Sequence, residues 1–235
     1  MPGHLLDGAV VAVVGASGAL GSLIARELSA RGARVVLVGR DDGRLKAVGV
    51  EGAPCVVADL TDATAGDRIV RGARDAYGRL DGVVNAAGVV AFGSLVDTDD
   101  AVIEELFMTN VIGPLWMVRR VAPVLAENGG FVCNVSAVVA EQPLPGMASY
   151  AAAKAALTAA DAALSRELRR MRVAVIDARP PHTETGLATR PLAGEAPRLP
   201  RGLAPESVAR RIVQAIEDGQ SDLPAADFGT GSGPT

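Results

Sequence analysis

The sequence predicts an α/β protein built on one doubly wound parallel sheet. Short, almost wholly apolar β-prone runs alternate with longer Ala/Leu/Arg-rich stretches that suit helices. The short runs lack period-two alternation, as do parallel strands covered on both faces. The chain of 235 residues suits one sizeable core better than two small ones.

The elements follow in order. "AVVAVVG" (9–15) is a strand, and "GSLIARELSARG" (21–32) a helix closed by Gly32. "RVVLVG" (34–39) and "PCVVAD" (54–59) are the second and third strands. "GDRIVRGARDAYG" (66–78) is a helix, and "LDGVVNAAG" (80–88) the fourth strand with its turn. The helical stretch 100–125 is expected to bend near Gly113-Pro114. Strand five is "GFVCNVS" (130–136), a long helix covers 148–170, and strand six is "RVAVIDARP" (172–180). The Pro/Gly-rich segment at about 180–204 has no periodicity and reads as a lid loop. A helix over 205–219 follows, so residues 1–227 form one domain, with 228–235 a flexible tail.

Composition narrows the function classes. A hydrophobic share of 49%, a charged share of 21% and a net charge of −4 describe a globular protein without a basic surface. Nucleic acid and anionic membrane are therefore not the expected partners. No apolar run is read as reaching the ~20 residues of a membrane span, and no signal peptide is read. Cys55 and Cys133, each in an apolar run, read as buried reduced thiols of a cytoplasmic protein. No metal-ligand spacing is present.

The first strand runs into "VGASGALGSLIA", where Gly15, Gly18 and Gly21 punctuate a turn leading straight into a helix. Glycines there let a backbone approach a pyrophosphate, and the helix N-terminus offers free N–H groups. Strand two ends in Gly39 and Arg40, where an NAD site usually carries an acid for the ribose hydroxyls. Arg40 favours a 2′-phosphate, hence NADP(H) over NAD(H), with Ser17 adding a hydroxyl contact. The alternative has Arg40 solvated and Asp41 or Asp42 holding a ribose.

With these features the chain resembles the short-chain dehydrogenase/reductase family, single-domain Rossmann type, up to about residue 190. Gly15-x-x-Gly18-x-Leu20-Gly21 matches its glycine motif, and Asp59, followed by Leu60, its adenine-contacting acid. "NAAG" (Asn85, Ala86, Gly88) resembles the Asn-Asn-Ala-Gly turn. Asn110 falls at the helix Asn of the family's proton relay, and Tyr150 and Lys154 match Tyr-x-x-x-Lys. "RPPHTET" resembles the Pro-Gly-x-x-x-Thr turn beside the nicotinamide, which makes Pro180, Thr183 and Thr185 cofactor contacts. The resemblance implies Tyr150 as acid/base, Lys154 as its tuner and ribose anchor, and Asn110 as support for proton supply. Free tyrosine titrates near ~10, and an ammonium one turn away is expected to lower that value.

Two departures stand out. The family's Ser, thirteen residues before the Tyr, is here Ala137, and Ser136 lies one place early. On an extended strand Ser136 faces away from the substrate, unless a bulge or one-residue shift returns it. Loss of one oxyanion donor costs about 2.7–4 kcal/mol in other sites. Pro181 replaces the family's Gly, and the following His182 either donates to the substrate oxygen in the Ser's stead or points to solvent.

The expected pocket wall is Val138, Pro143, Leu144, Met147 and Leu187, with Glu141 and Gln142 as polar accents. It suits a small hydrophobic alcohol or ketone. The expected activity is NADP(H)-dependent interconversion of a carbonyl and an alcohol. The rivals are a nucleotide-binding sensor or scaffold, kept alive by Ala137, and a non-redox member performing dehydration or cyclisation. The chain offers only a weak final strand, so a homodimer through 100–125 and 148–170 is expected rather than a tetramer.

Overall fold

A computed structural model describes residues 3–229. Seven parallel strands form one sheet in the order β3-β2-β1-β4-β5-β6-β7. Their ranges are β1 Val10–Val14, β2 Arg34–Gly39, β3 Cys55–Val57, β4 Gly82–Asn85, β5 Phe131–Val135, β6 Ala174–Ala178 and β7 Asp222–Leu223. β1, β4, β5 and β6 are buried throughout, which accounts for their apolar sequences. The helices are α1 Ala19–Ala30, α2 Asp42–Lys46, α3 Ala65–Tyr77, α4 Asp100–Phe107, α5 Gly113–Asn128, α6 Ala148–Glu167 and α7 Pro205–Asp218. One apolar layer beneath α1 and α7 carries Ile24, Leu28, Phe131 and Ile212. The other, beneath α3 and α5, carries Ile69, Val83, Val121 and Leu125. Strand order reverses between β1 and β4, and ligands of such sheets bind at that switch point, beyond the strands' carboxyl ends.

The structure amends the sequence reading at several elements. The five-residue helix α2 lies in a stretch to which the sequence reading assigns no element; the Asp41 side chain caps it by accepting from Arg44 N at 2.9 Å. The expected bend in 100–125 falls just before Gly113, as a π-helical turn over Met108–Ile112. Contrary to the sequence reading, Asp100–Leu125 is long and apolar enough to cross a membrane. Here Met117, Val118, Val121 and Leu125 of that stretch lie against the sheet. The final strand exists as β7, whose Asp222 and Leu223 stand opposite Asp177 and Ala178. Of the expected tail, Phe228 closes a 3-10 turn, Ala225–Phe228, packed on the core; 230–235 lie outside the described residues.

Candidate functional site

A cavity of about 520 Å³ opens over the switch point. Its floor begins with the glycine turn after β1. Gly15 has φ +75°, and a Cβ there would stand 2.8 Å from Ala87 N. A Cβ on Gly21 would stand 2.2 Å from Gly15 O, so the helix start can close on the turn only without a side chain. Gly18 N-caps α1 without a side-chain hydrogen bond, and the first turn holds no acid. The free N–H groups of that turn therefore suit a phosphate, and the residues fit a dinucleotide's pyrophosphate. Ser17, Leu20, Asp59, Leu60, Ala86 and Gly88 line the same cavity. Asp59 also accepts from Thr61 N at 3.0 Å and from Thr61 Oγ1 at 2.9 Å.

Just beyond β2, Arg40 is exposed and forms no ion pair among the described residues. The neighbouring acids are engaged elsewhere. Asp41 caps α2, and Asp42 pairs with Lys46 at 2.5 Å. Arg44, absent from the sequence reading, also lines the cavity and donates from Nη2 to Ser17 O at 3.2 Å. Its signal was the Asp41-x-x-Arg44 spacing of a capped turn, legible only once α2 is recognised.

Asn85 does not line the cavity, contrary to its expected cofactor contact. It is buried, donates from Nδ2 to Asn134 Oδ1 at 3.1 Å, and accepts from Ala87 N at 3.2 Å. It thereby shapes the turn that carries Ala86 and Gly88. Asn110, placed by the π-helical turn, accepts from Val89 N at 3.1 Å and donates to Val89 O at 2.9 Å. A Cβ on Gly88 would stand 3.1 Å from Asn110 Oδ1 and 3.5 Å from Lys154 Nζ, so the three meet.

Tyr150 and Lys154, one turn apart on α6, both reach the cavity and are 7% and 4% exposed. Lys154 Nζ donates to Val135 O at 2.9 Å. Burial brings the Lys154 ammonium down to about 8, against the opposing pull of Asp177 and Asp161. Tyr150 departs from expectation: burial raises its phenol well above the ordinary value. With Lys154 turned to Val135 O, the cost of burying a phenolate outweighs any attraction from the ammonium.

Ser136 also lines the cavity, but its hydroxyl is engaged elsewhere. Its hydroxyl donates to Lys154 O at 3.1 Å and accepts from Thr158 Oγ1 at 3.2 Å, beneath α6 and away from the substrate space. No bulge returns it. Ala137, extended at φ −167°, lines the cavity beside it. Val138, Leu144, Met147 and Leu187 line the wall, whereas Pro143 and Gln142 do not. Glu141 is taken by Arg179. Val90, Phe92, Val139, Ala188 and Leu199 complete the apolar wall, brought there by loops no periodicity marks.

Pro180, Thr183 and Thr185 line the cavity, and Pro180 O accepts from Val138 N at 3.0 Å. His182 lines it too, with Nε2 3.7 Å from Glu184 Oε1 and its carbonyl accepting from Leu203 N. The lid is tied to the loop after β4 by Phe92 N to Ala193 O and Leu192 N to Val90 O.

A family model described as short chain dehydrogenase matches residues 9–195. An uncharacterized oxidoreductase of Staphylococcus epidermidis is 30% identical over 211 residues, 88% of this chain and 90% of the relative. Dehydrogenase/reductase SDR family member 7B of Danio rerio is 29% identical, covering 94% of this chain and 78% of its own. A Burkholderia cenocepacia short chain dehydrogenase solved with NADP superposes with TM-score 0.83 at 28% identity, over 94% and 90% of the two chains. A Brucella melitensis 3-ketoacyl-(acyl-carrier-protein) reductase solved with NADH gives 0.84 at 25% identity, over 95% and 99%.

Proposed function

The chain belongs to the short-chain dehydrogenase/reductase family of oxidoreductases, and from that premise we propose that it is an NADP(H)-dependent reductase of a small hydrophobic ketone or aldehyde. The observation that carries the reading is Tyr150 and Lys154 opening onto the same cavity as the glycine turn after β1. The nicotinamide, when bound, supplies or accepts the hydride. Tyr150 gives a proton to the substrate oxygen as negative charge develops there. Its burial keeps the phenol neutral, the form that can donate a proton. Lys154 provides positive charge beside the reacting oxygen and cofactor ribose, and Asn110 fixes the turn against which both sit.

The preference for NADP(H) rests on two guanidinium groups, Arg40 and Arg44, at the end of β2 and on the prior engagement of Asp41 and Asp42. Neighbouring structures hold NADP in one case and NADH in another. The apolar wall of Val138, Leu144, Met147 and Leu187 supports a hydrophobic substrate. The protein is read as cytoplasmic and as a homodimer through α4, α5 and α6.

Ala137 favours a second reading, a cofactor-binding sensor with little turnover, because the Ser136 hydroxyl is locked beneath α6. Loss of reduced-cofactor absorbance with a panel of hydrophobic ketones and aldehydes separates the two. Turnover abolished in Tyr150→Phe supports the reductase; tight NADPH binding with no turnover across the panel supports the sensor.

A further inference from the structure

The packing of α6 on the sheet contains a polar layer where apolar contact is the rule. Asn134 of β5 stands opposite Asp177 of β6 in register, so their side chains share one sheet face. Lys154, Thr158 and Asp161 recur at i, i+4 and i+7 along α6 and meet that face. Asp161 is 2% exposed and Asp177 6%. Asn134 Nδ2 donates to Asp161 Oδ1 at 2.7 Å. One oxygen of each acid, Asp161 Oδ2 and Asp177 Oδ1, finds no hydrogen-bond partner among the described residues.

Two ionised carboxylates confined to one buried layer repel, and each orphaned oxygen costs free energy. Asp177 has a cation, Arg179 Nη1, at 2.5 Å, whereas Asp161 has only the neutral Asn134 amide. A proton on Asp161 Oδ2 makes that atom a donor, and Asp177 Oδ1 is the free acceptor in the same layer.

We propose that Asp161 and Asp177 share one proton, held on Asp161, and that this singly charged pair is the buried countercharge that keeps Lys154 an ammonium. Asp161 is thus a positioning residue that acts through Lys154, and its link to catalysis rests on the role given to Lys154 above. The groups facing the pair are Lys154 and Thr158 from α6, Arg179 just after β6, and Asn134 from β5. Glu141 and Asp222 complete the charge set around Arg179. Burial raises both acids, Asp161 to about 8, where Lys154 itself titrates, so their protons leave as coupled steps. When Asp161 releases its proton to solvent, the pair becomes doubly negative and holds the Lys154 proton more firmly.

The test needs neither ligand nor turnover, so its failure is distinguishable from failure of the reductase reading. The chain holds just two lysines, Lys46 and Lys154, and carbon-13 labelling of lysine side chains and aspartate carboxyls gives a readable titration by NMR. One aspartate carboxyl is expected to titrate far above the ordinary range, to vanish in Asp161→Asn and to move back toward that range in Asp177→Asn. Lys154 in Asp161→Asn is expected to lose its proton about one pH unit lower. Aspartates that all titrate in the ordinary range in the natural protein overturn the shared proton, whether or not the variants fold. An unmoved Lys154 titration in folded Asp161→Asn overturns the link to Lys154.

Discussion

Adjacent substitutions at Ser136 and Ala137 are expected to have opposite consequences. Ala137→Ser adds a hydroxyl at the cavity wall, on an extended residue that already faces the substrate space. One donor aimed at a developing oxyanion contributes about 2.7–4 kcal/mol where its loss has been measured. In the proposed mechanism Tyr150 already serves that oxygen, so the lower bound is the better guide, and about a hundredfold rise in kcat is the ceiling. A tenfold rise would still represent about 1.4 kcal/mol. Ser136→Ala removes a hydroxyl that touches only Lys154 O and Thr158 Oγ1. It should leave kcat within a factor of about two while lowering stability by about 1 kcal/mol, the net worth of a buried hydrogen bond. Both are checked with NADPH and one turned-over ketone, alongside thermal unfolding. A loss of turnover in Ser136→Ala matching that of Tyr150→Phe, with Ala137→Ser inert, would refute the assignment of the two faces.

Arg44→Met should weaken NADPH binding about tenfold and leave NADH binding nearly unchanged, as read by calorimetry, because in the proposed reading the guanidinium meets the phosphate that only NADPH carries. Equal losses for both would remove Arg44 from the phosphate site. Gly21→Ala should abolish measurable dinucleotide binding, since its Cβ would stand 2.2 Å from Gly15 O and force the turn apart; unchanged affinity would argue against the cradle. Stability should also depend on pH through Asp161. Its acid is raised from 3.8 to about 8 in the fold, so the folded state binds more protons between those values and stability falls as pH rises across them. Asp161→Asn lacks that titration, so its melting temperature should gain on the natural protein's progressively from about pH 4 to about pH 8. A constant difference across that window would contradict the raised value.

Much of the fold and the floor of the site were legible because they depend on local pattern. The all-apolar strands, the glycines at 15, 18 and 21 and the Tyr150–Lys154 spacing each encode one local requirement. The outward turn of Ser136 was also legible, since alternation along a strand is a local rule. What was not legible depended on register or on groups far apart in sequence. Asn85 reads as a cofactor residue until β4 is paired with β5 and its side chain meets Asn134. The raised Tyr150 acid depends on burial by Val90 and Phe92 from the loop after β4 and by Leu187 from the lid. α2 is five residues long and needs its Asp41 cap to be seen.

The buried layer beneath Lys154 gives a physical reason for the charged residues on the inner face of an Ala-rich helix. A lysine buried to 4% exposure loses much of its hydration, and the cost appears as a fall to about 8. The ammonium survives near neutral pH only if negative charge lies close by. A fully ionised Asp161–Asp177 pair would add a second buried charge with only Arg179 to answer it. One proton on Asp161 leaves a single negative charge, already braced by Arg179, within the field of Lys154. Arg179 in turn gathers Glu141, Asp177 and Asp222, joining the segment after Ala137 to β6 and β7. The same cation therefore stabilises the acid pair and anchors the loop that carries the substrate wall, so changes at Arg179 should disturb Lys154 ionisation and substrate affinity together.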